Sequence, residues 1–537
     1  MRHRRAPGNL LVLIAAIPLL NGLAAGAEAP SPLPRGHVFF QADFDAADAL
    51  KGWTGAGKLE PGASGQVLAI ERTAGGVVGG TAVTLKLPAE AMRGYAVGCT
   101  AKVKAENVSD RPQPWNGLKF MLAIEGPGGK TWPQAKVETG TFDWRRAAFT
   151  ARIPADATSV TLCLGLEAVT GRAWFDDVRI AVAKPPFVVK PRPAGGPVYK
   201  GHDLPRLRGT MVSPDINEAS LRVLGKDWNA NVLRWQLVRY MPPGKSPLAS
   251  EYDGWLEGEL KKLDAALPLC EKYGLYVVVD LHSPPGGSPT VSRYVGSDAG
   301  LFADKAAQAK FVEVWQKMAR RYKGAKPVWG FDLANEPVED FVEEGCDDWH
   351  DLAERAAKAV RAIDPDRTII VEPPDWGNPA GIREFAPIDV PGVVYSVHMY
   401  VPHEFTHQGV FADTKPVNYP GEIGGKTWDK AALAATLQPV VAFQKAYGVH
   451  IYLGEFSAIR WAPDGSAARY LKDLIDIFEA NGWDWTYHAF REWQGWSVEH
   501  GSDKADTKPA AQPTDRQKLL CDWFAKNRKP AWQKPLP

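Results

Sequence analysis

Eight short apolar runs, each followed by a segment of helical period, occupy the chain from residue 204 to residue 529. The runs are RLRGTMVS, ANVLRWQL, LYVVVDLHS, VWGFDLANEP, TIIVEPPD, VVYSVHMY, IYLGEFS and WDWTYHAFRE. Amphipathic stretches such as GWLEGELKKLDAALPLCEKYG, KAAQAKFVEVWQKMARRYKG, DLAERAAKAVRAID and ARYLKDLIDIFEANG stand between them, several closing on glycine as helices often do. Strands alternating with helices predict a parallel sheet, and eight similar units predict its closure into a (β/α)8 TIM barrel. A doubly wound open sheet is the competing arrangement, but the first unit lacks the glycine-rich turn that such a sheet carries.

The preceding part has a different period. Over 37–184, runs such as HVFFQADF, TAVTLKL, YAVGCTAKVKA, LKFMLAIEG, RRAAFTARI and SVTLCLGLE alternate apolar with polar residues and are broken by Gly, Pro and Asp. Period-two patterning at regular spacing predicts an all-β sandwich of jelly-roll type. The segment AKPPFVVKPRPAGGPVYKG can be neither a helix nor a central strand, so 185–203 reads as a semi-rigid linker. A chain of 537 residues is long enough for this multidomain plan.

The first residues, MRHRRAPGNLLVLIAAIPLLNGLAAGAEAP, run from basic to apolar to small, the layout of a secretory signal over 1–29. Its apolar part is too short to span a bilayer comfortably, although an uncleaved anchor is the other reading. The expected location is therefore extracellular or periplasmic, with no membrane contact after signal cleavage. A formal net charge of +1, from nearly equal acids and bases, disfavours nucleic acid or an anionic surface as partner. Five cysteines without CxxC or Cys/His clustering argue against a disulfide scaffold or a zinc site. Cys99 and Cys163 could pair or remain buried thiols. Twenty tryptophans exceed ordinary core needs and suit stacking on sugar rings. Oligomeric state is not legible.

The ends of the barrel runs carry the chemistry. The second ends near Arg234, the third at Asp280 and His282, the fourth at Asn335 and Glu336, the sixth at His398 and Tyr400, the seventh at Glu455. Such groups would be expensive in a packed core, but at the carboxyl-end mouth of a barrel they converge on a ligand. Two glutamates facing one another there suggest cleavage of a glycosidic bond, which needs a proton donor for the leaving oxygen and an anion at the oxocarbenium-like centre. Asp280 and Asp332 lie deeper in their strands and read as structural.

The strings NVLRWQL, DLHSPPGG, LANEP, VHMY and LGEF, in this strand order, resemble glycoside hydrolase family 5, the cellulase-type family of clan A retaining enzymes. The likeness covers about 204–523. It implies Glu336 as general acid/base, with a raised pKa, and Glu455 as the ionised nucleophile. Asn335 would bind the sugar 2-hydroxyl, Arg234 and Tyr400 would support Glu455, His398 would neighbour the acid/base, and His282 would touch the sugar before the scissile bond. No metal or other cofactor is implied. The expected activity is that of an endo-β-1,4-glucanase on a polysaccharide or oligosaccharide. A β-mannanase or another β-glycosidase of the family is the alternative, and a noncatalytic carbohydrate-binding protein on a hydrolase-like barrel is the alternative from another class. A metal-dependent hydrolase is weaker, because DLH supplies one histidine where two alternating ones are expected.

One position departs from the family pattern. Where WTYW is usual, this chain has WTYHAFREWQGW, with His488 in place of the stacking tryptophan. The platform then falls to Trp485, Trp493 or Trp496, with Trp493 preferred, or His488 itself touches the sugar. Trp376 and Trp461 are placed on loops of the same face, as subsites or as rim packing. The long segment 401–428 should shape the cleft, and its His403 and His407 lack a third ligand for a metal. TGRAWFDDVRI in the first domain is similar to the closing strand of galactose-binding-like sandwiches, which include carbohydrate-binding modules. Trp115, Trp132 and Trp144 could there form a sugar platform or lie in the core, and Asp176 and Asp177 could assist a calcium ion or be salt-bridged.

Overall fold

The structure, a computed structural model, describes residues 31–73, 79–191, 197–297, 299–412 and 414–533. The signal segment expected at 1–29 lies outside them. The N-terminal domain is two antiparallel sheets. One orders the strands Lys58–Gly62, Gly65–Arg72, Gly171–Lys184, Ala96–Val108 and Gly140–Arg152, with Val38–Ala42 also paired to Gly171–Lys184. The other orders Thr54–Gly55, Gly80–Lys86, Ser159–Glu167, Gly117–Gly126 and Gly129–Thr131. From Gly65 onward the long strands alternate between the sheets, which makes a jelly roll.

Period two decides which side chains enter this core. Along Ala96–Val108, Val97, Cys99, Ala101, Val103 and Ala105 are buried while the residues between them reach outward. Phe120 and Phe149, one from each sheet, meet edge to face with centroids 5.1 Å apart. All five cysteines are free thiols. Asp177 is salt-bridged to Lys102 at 2.7 Å.

The second domain is a closed parallel barrel of eight strands: β1 (Arg208–Val212), β2 (Val232–Gln236), β3 (Tyr276–Asp280), β4 (Val328–Asp332), β5 (Thr368–Val371), β6 (Val393–Met399), β7 (Ile451–Phe456) and β8 (Asp484–Phe490). Closure comes from the pairing of β8 with β1. Helices including Tyr252–Tyr273, Lys305–Tyr322, Trp349–Arg361 and Ser466–Asn481 surround it. The first ends at Gly274, whose φ of +68° turns the chain into β3 at no steric cost. A further helix, Lys430–Tyr447, carries Pro439 within it, which obscures its pattern in the sequence.

The barrel interior is layered. Val232, Val278, Ile370, Val394 and Tyr452 pack as one apolar plug toward the amino ends of the strands. Side chains two residues apart share a face, so the next inward positions are Arg234, Asp280, Glu372 and Ser396. The plug shields this polar layer from below. Beneath the plug the end of the linker is pinned: Tyr199 meets Thr368 at 3.0 Å, Trp329 donates to the Lys200 carbonyl, and His202 and His450 both approach Asp484 Oδ2, at 2.8 and 2.6 Å.

Close approach of β1 to β2 requires glycine at 209, where an added Cβ would stand 1.7 Å from the Val232 carbonyl oxygen. Gly209→Ala is expected to destabilise the barrel by about 3 kcal/mol, because backbone on both strands must move. Thermal denaturation checks this, and an unchanged melting temperature would contradict the close strand approach.

Candidate active site

Arg234 lies in the middle of β2, fully buried, and its guanidinium fills the polar layer. It reaches Asp332 at 2.9 Å, Asp280 at 3.1 Å, Glu372 at 3.1 Å and Glu455 at 2.5 Å, and donates to the Asn335 side-chain oxygen at 3.0 Å. Burial works against its charge, but the surrounding carboxylates, Asp280 first, outweigh that and hold its pKa well above the usual value. The planar fork suits this task, since it offers five donors in fixed directions.

Glu455, near the end of β7, is gripped on both oxygens. Oε1 faces Arg234; Oε2 accepts from the Tyr400 hydroxyl at 2.7 Å and stands 3.2 Å from His488 Nδ1. The other nitrogen of His488 lies 3.3 Å from Glu492. Burial would raise the Glu455 pKa, yet His398, His488 and Arg234 together hold it well below the carboxylate range. Burial likewise opposes the His488 charge, but Glu455 and Glu492 raise its pKa to about 10. Both groups are therefore ionised at neutral pH.

Glu336 stands four residues beyond the end of β4, at φ +47°. Its backbone N–H donates to Glu372 Oε2 at 2.8 Å, and its Oε1 lies 3.0 Å from His398 Nδ1. His398 Nε2 is 3.0 Å from Glu372 Oε1. Burial is again unfavourable for the imidazolium, but Glu372 and Glu455 beside it hold its pKa well above the ordinary histidine value. A carboxylate oxygen of Glu336 and one of Glu455 lie within 4.8 Å of each other. Gly454 makes room here: an added Cβ would come within 2.8 Å of His398 Nε2.

The remaining predicted residues join the same cluster. His282 Nδ1 meets Asp280 at 2.8 Å and its Nε2 meets the Asn335 amide at 3.3 Å, so the ring accepts from Asn335 while donating to Asp280. Asp280 and Asp332, expected to be structural, are fully buried against Arg234. Trp485 is buried in β8, and Trp496 is buried with its ring tilted 5.9 Å from His488. Trp493 is 38% exposed and packs edge-on to Trp461 and Trp496. Trp376 is 46% exposed. His403 and His407 stack ring on ring at 3.8 Å, and burial followed by the His403 charge lowers the His407 pKa to about 3. Beside Glu492 a cavity of about 430 Å³ opens between Gln236, Arg239, Tyr240 and Trp255.

Two central residues escape the reading of strand ends. Glu372 closes TIIVE ahead of two prolines, the same apolar-to-carboxylate-to-proline step as at Glu336, and that step was the available signal. Glu492 follows β8 in a loop, where nothing local marks it. Two groups among the described residues cluster donor atoms tightly enough to hold a metal ion. In Glu336, His398 and Glu455 the two imidazole nitrogens face carboxylates, Nδ1 toward Glu336 at 3.0 Å and Nε2 toward Glu372 at 3.0 Å. In His202, His450 and Asp484 the 2.6 and 2.8 Å contacts are hydrogen bonds, tighter than the roughly 3.3 Å between ligands around tetrahedral zinc.

A parallel barrel whose carboxyl-end mouth holds two apposed carboxylates, one of them backed by a buried arginine, has the constitution of a barrel glycosidase. The family model described as Cellulase (glycosyl hydrolase family 5) matches residues 195–493, and the chain belongs to that family of glycoside hydrolases. Endoglucanase C of Acetivibrio thermocellus is 29% identical over an alignment of 262 residues that covers 43% of this chain and 73% of that protein. Cellodextrinase A of Ruminococcus flavefaciens is 29% identical over 233 residues, 42% of this chain and 66% of that protein. A solved glycoside hydrolase structure is 24% identical, with TM-score 0.47, covering 59% of this chain and 99% of the other.

The His488 cation sets a pH prediction. His488→Phe removes a charge that keeps Glu455 ionised, so the Glu455 pKa rises and the acidic limb of kcat/KM moves to higher pH. His488 is raised from 6.5 to about 10, so its stabilising charge is fully present below pH 6.5 and is lost as pH rises through about 10. The stability gap between parent and variant should narrow over that window. A pH–rate profile and denaturation at several pH values check both; an unmoved acidic limb contradicts the pairing.

Proposed function

We propose that this chain is a secreted, retaining endo-β-1,4-glucanase that works by double displacement, with Glu336 as acid/base and Glu455 as nucleophile. The observation that carries this reading is the separation of the two carboxylates, with oxygens within 4.8 Å. Retaining enzymes hold the two carboxyl groups about 5–5.5 Å apart and inverting enzymes roughly 6.5–9.5 Å, and facing oxygens this close favour the shorter spacing. Glu455, kept anionic by its three cationic neighbours, attacks the anomeric carbon. The departing oxygen takes the Glu336 proton, and a glycosyl ester forms on Glu455. Glu336 then removes a proton from water, which attacks the same carbon and frees Glu455. Asn335 is left one amide hydrogen for the sugar after Arg234 and His282 take its other contacts.

The relatives named Endoglucanase C and Cellodextrinase A support a β-glucan as substrate. The basic, apolar and small-residue order of the first residues supports export. A purely sugar-binding role has no use for a buried arginine and two histidines arranged around one carboxylate. On the sandwich, Trp115 and Trp132 are 59% and 55% exposed, which supports a second glycan contact there.

Glu336→Gln and Glu455→Gln should each lower kcat on a soluble β-1,4-glucan on the order of 10³-fold with the fold retained. Proton NMR of the first-formed product should show the β anomer; an initial α anomer, or two fully active variants, would sink the mechanism. Replacing both Trp115 and Trp132 with Ala should weaken retention on insoluble glucan while leaving soluble-substrate kcat unchanged, and equal retention would remove the sandwich contact.

A further inference from the structure

The residues that follow Glu336 form no strand or helix until Trp349, so 333–348 is a long connection for a βα unit. The barrel holds it at a few backbone points, such as Val338 N–H to the Ser297 carbonyl at 2.9 Å. Its other side is held by the sandwich. Thr150 N–H donates to the Asp340 carbonyl at 3.1 Å, and the Arg146 guanidinium lies 4.8 Å over the Phe341 ring. Lys184, the last residue of Gly171–Lys184, places its ammonium 2.6 Å from Glu339 and 3.3 Å from Asp348.

This ion triad differs from the exposed pairs around it. The Glu339 and Asp348 side chains are 9% and 16% exposed, whereas Lys136 and Asp340 are 88% and 61% exposed and contribute little. Without Lys184, two nearly buried carboxylates would face each other unneutralised, and one must move or take up a proton. What would move is connected to the site. Glu339 also accepts the backbone N–H of Trp349, the first residue of Trp349–Arg361. The Trp349 indole donates to the Glu372 carbonyl at 2.7 Å, and the Glu372 carboxylate receives the Glu336 N–H at 2.8 Å.

We propose that Lys184 is a positioning residue for Glu336, so that the sandwich braces the segment that aims the acid/base. The proposal rests on the acid/base reading of Glu336. A misplaced proton donor harms departure of a poor leaving group and spares a leaving group that needs no proton.

The test compares full-length Lys184→Met and Lys184→Arg on a cello-oligosaccharide and on dinitrophenyl β-cellobioside. Lys184→Met should lower kcat on the oligosaccharide about tenfold with KM unchanged, and leave kcat/KM on the aryl substrate within about twofold. Lys184→Arg should recover most of the loss. If Lys184→Met does not fold, Lys184→Gln removes the same cation with a polar side chain and should give the same split. Equal losses on both substrates, or no loss on either, overturn the brace. Glu336→Gln serves as control: if it shows no leaving-group dependence, the acid/base assignment fails instead.

Discussion

One buried guanidinium organises this active site. Arg234 meets Asp280, Asp332, Glu372 and Glu455 within 3.1 Å, and supplies these four acids above an apolar plug with one shared cation. Removing a charge from water costs several kcal/mol, so this cluster is tenable because each member is the partner of another. The dependence runs outward. Glu372, held by Arg234, receives the Glu336 backbone and flanks His398, while Glu455, also held by Arg234, anchors Tyr400 and His488. Glu455 is thus held by the guanidinium directly, and Glu336 is held by it through Glu372.

The departure at 488 makes sense within that frame. A tryptophan there would supply a stacking face but no charge; the histidine supplies a cation, bridging Glu455 to Glu492. Glu492 in turn borders the cavity with Arg239 and Tyr240, so the exchange recasts the electrostatics of this flank of the cleft. The exposed indole nearby is Trp493, edge-on to Trp461, and the buried Trp496 backs the His488 ring.

Much of the site was legible because a barrel strand has little freedom. An apolar run that stops on Asn335, Glu336 and Pro337, or on His398 and Tyr400, announces where a strand leaves the core. Glu372 carries the same signature and went unread among strand ends, since nothing local separates a carboxylate that orients its neighbours from one that serves a sugar. Arg234 read as a strand end but lies mid-strand, because a long side chain can carry its charge to the layer above. Lys184 sits at a domain edge, where a charged residue ordinarily implies nothing more than solvent.

The sequence by itself determined the two architectures and the polar ends of the barrel strands, because side-chain periodicity and the cost of burying polar groups act within a few residues. The tertiary structure alone decided which of those ends meet. An oxygen each of Glu336 and Glu455 is brought within 4.8 Å by barrel closure, the pKa values of His398 and His488 are raised by carboxylates that other strands bring beside them, joined at His488 by Glu492 of the following loop, and Lys184 reaches the Glu336 segment through domain docking. Each depends on electrostatic contact between residues distant in the chain, and such contact falls off with separation in space, which no local pattern of residues encodes.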